Sequence, residues 1–205
     1  RLEAVCIVSD NLSSMIHAYG LHLRTGKQWH PAYEAFCQLK QPCVVTMENL
    51  QGITGASAEH NRAYIVENEM VFSYLISQME EEEVTLLCTS GQPRTAALKL
   101  ISLLLEEGTE LFYSGDIDPD GVRIAERLWK KFDNRIHLWR MEASDYKACL
   151  SKETFGPTGN SKLDGLEHPQ LKITAKVMKN KGLCGYQENI LQDLLTDIKQ
   201  SDKVK

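Results

Sequence analysis

From Asn61 onward the chain alternates short apolar runs with amphipathic helical stretches, and this alternation leaves few folds open. Ala63-Tyr64-Ile65-Val66, Val84-Thr85-Leu86-Leu87-Cys88, Glu110-Leu111-Phe112-Tyr113 and Arg135-Ile136-His137-Leu138-Trp139 are rich in β formers and too short for helices. Between them, Met70 to Met79 carries apolar residues at helical spacing, and Arg94 to Glu107 is a strong helical pattern halted by Gly108. Pro119 to about Lys131 sets Val122, Ala125, Leu128, Trp129 and Phe132 on one face. The same wheel assigns Arg123, Glu126, Arg127, Lys130 and Lys131 to the polar face. Strands and helices alternating in this way predict an α/β fold: a Rossmann-like parallel sheet of about four strands, flanked by helices. In such sheets ligands bind beyond the carboxyl ends of the strands.

The flanks are less regular. Residues 1–60 read as a lead-in α/β segment, with strands at Val5 to Val8 and Cys43 to Met47 and a helix at Tyr33 to Leu39. Residues 141–205 read as a loop over 151–168 followed by helices at Pro169 to Lys181 and Gln187 to Lys199, with a Gly182/Gly185 break between them. The chain begins with Arg1 inside an apparent strand, Ala4 to Val8, so it reads as a fragment of a longer protein.

With 42% hydrophobic residues the chain can bury a core, and its net charge of −5 gives it no global basic field. Binding to nucleic acid would need a local patch, a cation or a partner. No run of about 18 apolar residues is present, so no membrane span is expected. Signal-peptide features are also lacking, and a cytoplasmic location is expected. The six cysteines contain no C-x-x-C pair; they read as buried free thiols in a reducing compartment, not as disulfides or a zinc site.

The chemistry concentrates at Gly115-Asp116-Ile117-Asp118-Pro119-Asp120-Gly121, directly after the third strand. Crowded carboxylates repel unless a cation or water offsets their charge. The loop opens like an EF-hand, but its eighth and twelfth positions are Arg123 and Arg127, where an apolar residue and a bidentate Glu are required. A structural reading makes Asp118 a helix N-cap before Pro119 and Asp120 a first-turn residue, which leaves Asp116 unexplained. A Mg²⁺ reading uses Asp116 and Asp118 as oxygen ligands, completed by Glu67 from the end of the first strand.

These residues resemble a known family. The order strand, Glu67, helix, strand, Ser90-Gly91 loop, helix, strand, Asp116-x-Asp118, helix is similar to the Toprim domain of topoisomerases, primases and several nucleases. The string Asp116-x-Asp118-Pro119-x-Gly121 resembles the form found in the topoisomerase VI A subunit. With Val66-Glu67-Asn68 and Ser90-Gly91-Gln92-Pro93, it looks closest to the Toprim nuclease subunit (JetD-like) of Wadjet-type bacterial plasmid-defence systems. The match covers about residues 61–140. No winged helix carrying a catalytic tyrosine, as in topoisomerase VI, is found.

The resemblance implies a Mg²⁺-dependent DNA endonuclease, a hydrolase of phosphodiesters, with Mn²⁺ as a substitute ion. Asp116 and Asp118 would hold metal, and Glu67 would complete the site or act as general acid or base. It implies DNA and other subunits of an SMC-like complex as partners, no membrane, and leaves homodimerisation open. Two alternatives stand beside it: a non-catalytic Toprim that binds DNA or a partner, and a Mg²⁺ phosphohydrolase of small phosphates. The second lacks the Thr of D-x-D-x-T, since Asp120 holds that position.

Secondary features receive plainer readings. Glu69 is a solvent-facing residue, Glu48 a strand-end residue, and Gln187-Glu188 a capping or surface feature. Arg94 could steer DNA. Lys172, Lys176, Lys179 and Lys181 form a solvated helix face that could also track a phosphate backbone, and Thr89-Ser90-Gly91 either binds phosphate or simply starts a helix. His137 is expected to be packed within its strand.

Overall fold

The computed structural model describes residues 10–79 and 82–201. The chain opens with β1 (Met15–Tyr19), β2 (Leu21–Thr25), β3 (Gln28–Trp29), α1 (Pro31–Gln38), β4 (Cys43–Thr46) and β5 (Gly55–Ala58). The alternating part follows: β6 (Arg62–Val66), α2 (Glu69–Ser77), β7 (Thr85–Cys88), α3 (Thr95–Glu106), β8 (Glu110–Ser114), α4 (Pro119–Lys131) and β9 (Ile136–Leu138). It closes with α5 (Ala143–Ala148), β10 (Leu150–Thr154), α6 (Pro157–Lys162), α7 (Pro169–Lys181), β11 (Leu183–Gly185) and α8 (Leu191–Ser201).

Six strands form the main sheet, in the order β4-β1-β7-β6-β8-β9. β7, β6, β8 and β9 are parallel, and β1 and β4 extend the sheet in antiparallel pairing. The mixed α/β fold with a mostly parallel, helix-flanked sheet is the one the alternation predicts. Every residue of β7 and four of five in β6 are buried, because helices cover both faces of the central strands. In α3 the buried Leu100, Ile101 and Leu104 lie on one stripe, each contributing roughly 1.5–3 kcal/mol. That helix ends where Gly108 takes φ 82°, a left-handed conformation that suits glycine.

Several elements differ from expectation. β2, β3 and β5 form a second, antiparallel sheet that the sequence did not announce. β5 is Gly-Ala-Ser-Ala, with weak strand propensity, and owes its conformation to pairing with β2. The supposed loop at 151–168 holds most of β10, paired with the distant β11, and α6, which starts at Pro157. His137 stacks on Phe112 at 5.2 Å but is exposed, because β9 is an edge strand. The expected strand Ala4 to Val8, Cys6, and Glu80-Glu81 lie outside the described residues. The other five cysteines are free thiols. No helix among the described residues is long and apolar enough to cross a membrane.

Glu126 is a correction to the helical wheel: it is 1% exposed, not on the polar face. Its carboxylate accepts the N–H groups of Glu167 (2.7 Å) and His168 (3.1 Å) at the start of α7, and it meets Lys130 at 3.2 Å. The charge thereby offsets the positive end of a helix 41 residues away. Glu126→Ala should therefore cost about 3 kcal/mol, since it strands buried donors. Thermal unfolding would check this; a loss below about 1 kcal/mol would contradict the anchoring role.

Candidate active site at the sheet edge

β6 is flanked by β7 on one side and β8 on the other. The chain leaves β6 toward β7, then crosses to β8, which creates a topological switch point between β6 and β8. The crevice beyond the carboxyl ends of such strands is where open α/β sheets take ligands. Val66 pairs with Ser114, so Glu67 and Gly115 follow side by side at that edge. A Cβ on residue 115 would lie 2.5 Å from Glu67 Oε2, so glycine is what lets the carboxylate occupy the crevice.

Glu67 is fixed from three directions. Its carbonyl accepts the Gly91 N–H at 3.0 Å, which ties the loop after β7 to this edge. The Tyr113 hydroxyl, fully buried, donates to Glu67 Oε2 at 3.4 Å. Its neighbour Asn68 caps α2 by accepting the Met70 N–H at 2.7 Å.

Asp116 is gripped by the C-terminal part of the chain. Ile117 and Gly185 exchange both backbone hydrogen bonds, at 2.9 and 3.1 Å. The Gln187 N–H then donates to Asp116 Oδ1 at 2.8 Å. Glu188, read from sequence as a cap or surface residue, is half-buried here, and its Oε1 accepts Asn68 Nδ2 at 2.7 Å. A fourth carboxylate therefore borders the centre. Its only sequence signal was its place just after the Gly182/Gly185 break, because no local pattern reports a contact spanning 120 positions.

Asp118 and Asp120 have different surroundings. Asp118 is the N-cap of α4, its Oδ1 accepting the Gly121 N–H at 2.6 Å. Asp120 is exposed and paired with Lys162 at 2.6 and 2.7 Å. Glu69 is exposed, with its carboxyl held below the usual range by the Ser90 hydroxyl. Glu48 is engaged by Asn11 (3.1 Å) and Gln51 (2.9 Å) in its own turn. Arg94 occupies the N-cap position of α3 without a side-chain capping bond and reaches Ser13 O at 3.4 Å, while Ser14 Oγ takes the Ala96 N–H at 2.8 Å. One first-turn donor of α3 is thus already satisfied. Of the α7 lysines, all exposed or partly so, Lys179 pairs with Asp164.

The electrostatics single out two of the acids. Burial pushes Glu67 up to about 7, reinforced by the charges of Asp116 and Asp118. Asp116 rises to about 6, again mainly through burial, with Glu188 and Asp118 adding to it and the Gln187 N–H working against it. Asp118 is raised chiefly by burial. Glu67 and Asp116 are thus poised to hold or release protons near neutrality.

Residues 43–198 match a family model described as protein of unknown function C-terminus (DUF2399). The chain belongs to this family. No curated protein matches it. Each acidic residue of the centre in this DUF2399 chain, including Glu188, lies within the matched stretch. The donor set is entirely oxygen, which suits Mg²⁺ or Mn²⁺ and no soft metal. Among the described residues, no group of three or more His, Cys, Asp or Glu side chains is placed to hold an ion as a ready cage. Asp118's engagement with α4 agrees with that. Mg²⁺ commonly uses one or two carboxylates, with water and phosphate filling the rest, and Glu67 with Asp116 meets that lower demand.

Proposed function

We propose that this chain is a Mg²⁺-dependent DNA-cleaving phosphodiesterase domain of the Toprim kind, closest to the JetD-like nuclease subunit of Wadjet-type plasmid defence. The observation that carries the reading is the pair Glu67 and Asp116, from two strands flanking one switch point, both with strongly raised pKa values. The order of Glu67, the Ser90-Gly91 loop and Asp116-x-Asp118 along the parallel strands supports it.

Asp116 would hold the ion, with Asp118 joining if its cap on α4 opens, and Glu67 would complete the site. A bound divalent ion offsets phosphate charge and stabilises the pentavalent transition state. The protein's own groups supply position and proton handling. If Glu67 is instead left free of the ion, its carboxyl, held at about 7 in the metal-free chain, would carry the proton that the attacking or leaving oxygen exchanges near neutral pH. The Gln187 N–H and the Ile117–Gly185 pair fix Asp116, so its carboxylate does not turn away. Gly115 keeps the space Glu67 needs. The partners in this reading are DNA and the other subunits of an SMC-like complex.

A non-catalytic Toprim that binds DNA or a partner is the second reading, favoured by the lack, among the described residues, of a ready three-carboxylate cage. Incubation of the chain with supercoiled and linear DNA in Mg²⁺, Mn²⁺ or EDTA separates the two. Cleavage that needs the ion and disappears in EDTA is the expected result. Binding without cleavage under every ion condition would transfer the assignment to the second reading.

A further inference from the structure

Among the described residues, a minority of the cations pair with a carboxylate. Lys130 pairs with Glu126 and Glu167, Lys162 with Asp120, Lys179 with Asp164, and Arg140 with Asp197. Arg94, Arg127 and Lys131 are exposed, and among the described residues none of the three has a carboxylate partner. Arg127 and Lys131 sit on one rim of a cleft of about 170 Å³ between α3 and α4. Pro93, Leu98, Ile124 and Leu128 also line it. Arg94 follows Pro93 directly, one helical turn before Leu98.

This cleft reaches the loop that touches the acidic centre. Pro93 lies two residues past Gly91, whose N–H binds the Glu67 carbonyl. α4 begins directly after Asp118, so Arg127 and Lys131 lie roughly 14 and 20 Å along its axis from the acids. Their spacing of four residues puts them on one face, about 6 Å apart along the axis. Exposed cations without carboxylate partners, lining a groove that adjoins the loop at the acidic centre, complement a long polyanion. Phosphates would follow the cations, and the reacting phosphate would lie at the acidic end.

We infer that the α3–α4 cleft is the track for a nucleic-acid backbone, with Arg127 and Lys131 as phosphate contacts and Arg94 beside Pro93. This rests on the reading of the acidic centre as acting on phosphodiesters. It adds a substrate-positioning surface that the acidic residues do not supply. Ordered phosphate contacts release counterions, so their number appears in the salt dependence of binding.

The test is binding of a fluorescein-labelled oligonucleotide by the full chain in EDTA, across a salt series, read by anisotropy. Arg127→Ala with Lys131→Ala should weaken binding about tenfold at about 100 mM salt and lower the slope of log K against log salt by about 2. Lys172→Ala with Lys176→Ala, on α7, should leave both unchanged, and Arg127→Lys should keep the slope. Unchanged affinity and slope in the Arg127/Lys131 variant would overturn the track, as would no binding by the wild type. Displacement of the oligonucleotide by poly-glutamate at equal charge concentration would overturn it too, and reassign the cleft to an acidic protein. With cleavage assayed separately in Mg²⁺ or Mn²⁺, a slope that responds alongside absent cleavage would sink the nuclease reading and leave the track standing. Cleavage with an unresponsive slope would do the reverse.

Discussion

Glu67→Gln is expected to lower metal-dependent cleavage by roughly 10²–10⁴-fold while making the metal-free protein more stable at pH 8. The two effects have one cause. Glu67 is held at about 7 against an ordinary value of 4.5, and Asp116 at about 6 against 3.8. A carboxyl raised on folding binds protons in the folded chain that the unfolded chain has already released. The stability these two groups contribute is therefore greatest below the unfolded values, near pH 4, and falls as pH rises toward the folded values near 6 and 7. For Glu67 alone the full difference is about 3 kcal/mol. Gln keeps an acceptor for the Tyr113 hydroxyl and removes the charge, so at pH 8 it should recover about 2 kcal/mol, or about 5 °C in Tm. Mg²⁺ should stabilise the wild type more than the variant. Thermal unfolding at pH 5 and pH 8, with and without Mg²⁺, gives the comparison. His22, raised to about 11 by Cys37 first and then by its bonds to Glu59 and Glu34, also loses stabilisation with rising pH, so only the difference between wild type and variant isolates Glu67. Equal pH profiles for the two proteins would remove the electrostatic account. Cleavage within about threefold of wild type would remove the role in catalysis.

Gly121→Ala provides the second large effect, because two physical rules oppose each other there. Residue 121 lies in the first turn of α4, where helix propensity alone favours Ala over Gly by about 1 kcal/mol. The tertiary structure predicts the opposite sign. An added Cβ would press into the Asp116 carbonyl, 3.0 Å from its carbon and closer still to its oxygen, and come within 3.3 Å of Asp118 Oδ1. The obstacle is backbone, which cannot rotate aside as a side chain would. Loss of about 2–3 kcal/mol is expected, together with displacement of Asp116 from the Gln187 N–H and a fall in cleavage. Chemical denaturation gives the sign directly. A stabilised Gly121→Ala would mean that the acidic loop yields easily, and that its close packing on α4 does not hold the centre.

The alternation of apolar runs and helical stretches was sufficient for the parallel core, because period and composition report what each segment must bury. Glu67 and the Asp116-x-Asp118 pair were legible for the same reason: they end strands, and strand ends in a parallel sheet share an edge. β5 was not legible, since its Gly-Ala-Ser-Ala sequence has no strand signature until β2 pairs with it. Glu126 misled the helical wheel because a charge can be buried when distant backbone donors meet it.

The sequence by itself determined the four-strand α/β core and three of the acids at one edge, through patterns set by neighbours a few positions apart. Only the tertiary structure decided how the centre is enclosed. It brought Gln187 and Glu188 against Asp116 and Asn68 from 71 and 120 positions away. It turned Asp120 to Lys162, let Gly115 make room for Glu67, and left Arg127 and Lys131, among the described residues, without a carboxylate partner along a cleft. Contacts across such distances depend on how whole elements dock, and no local period encodes that.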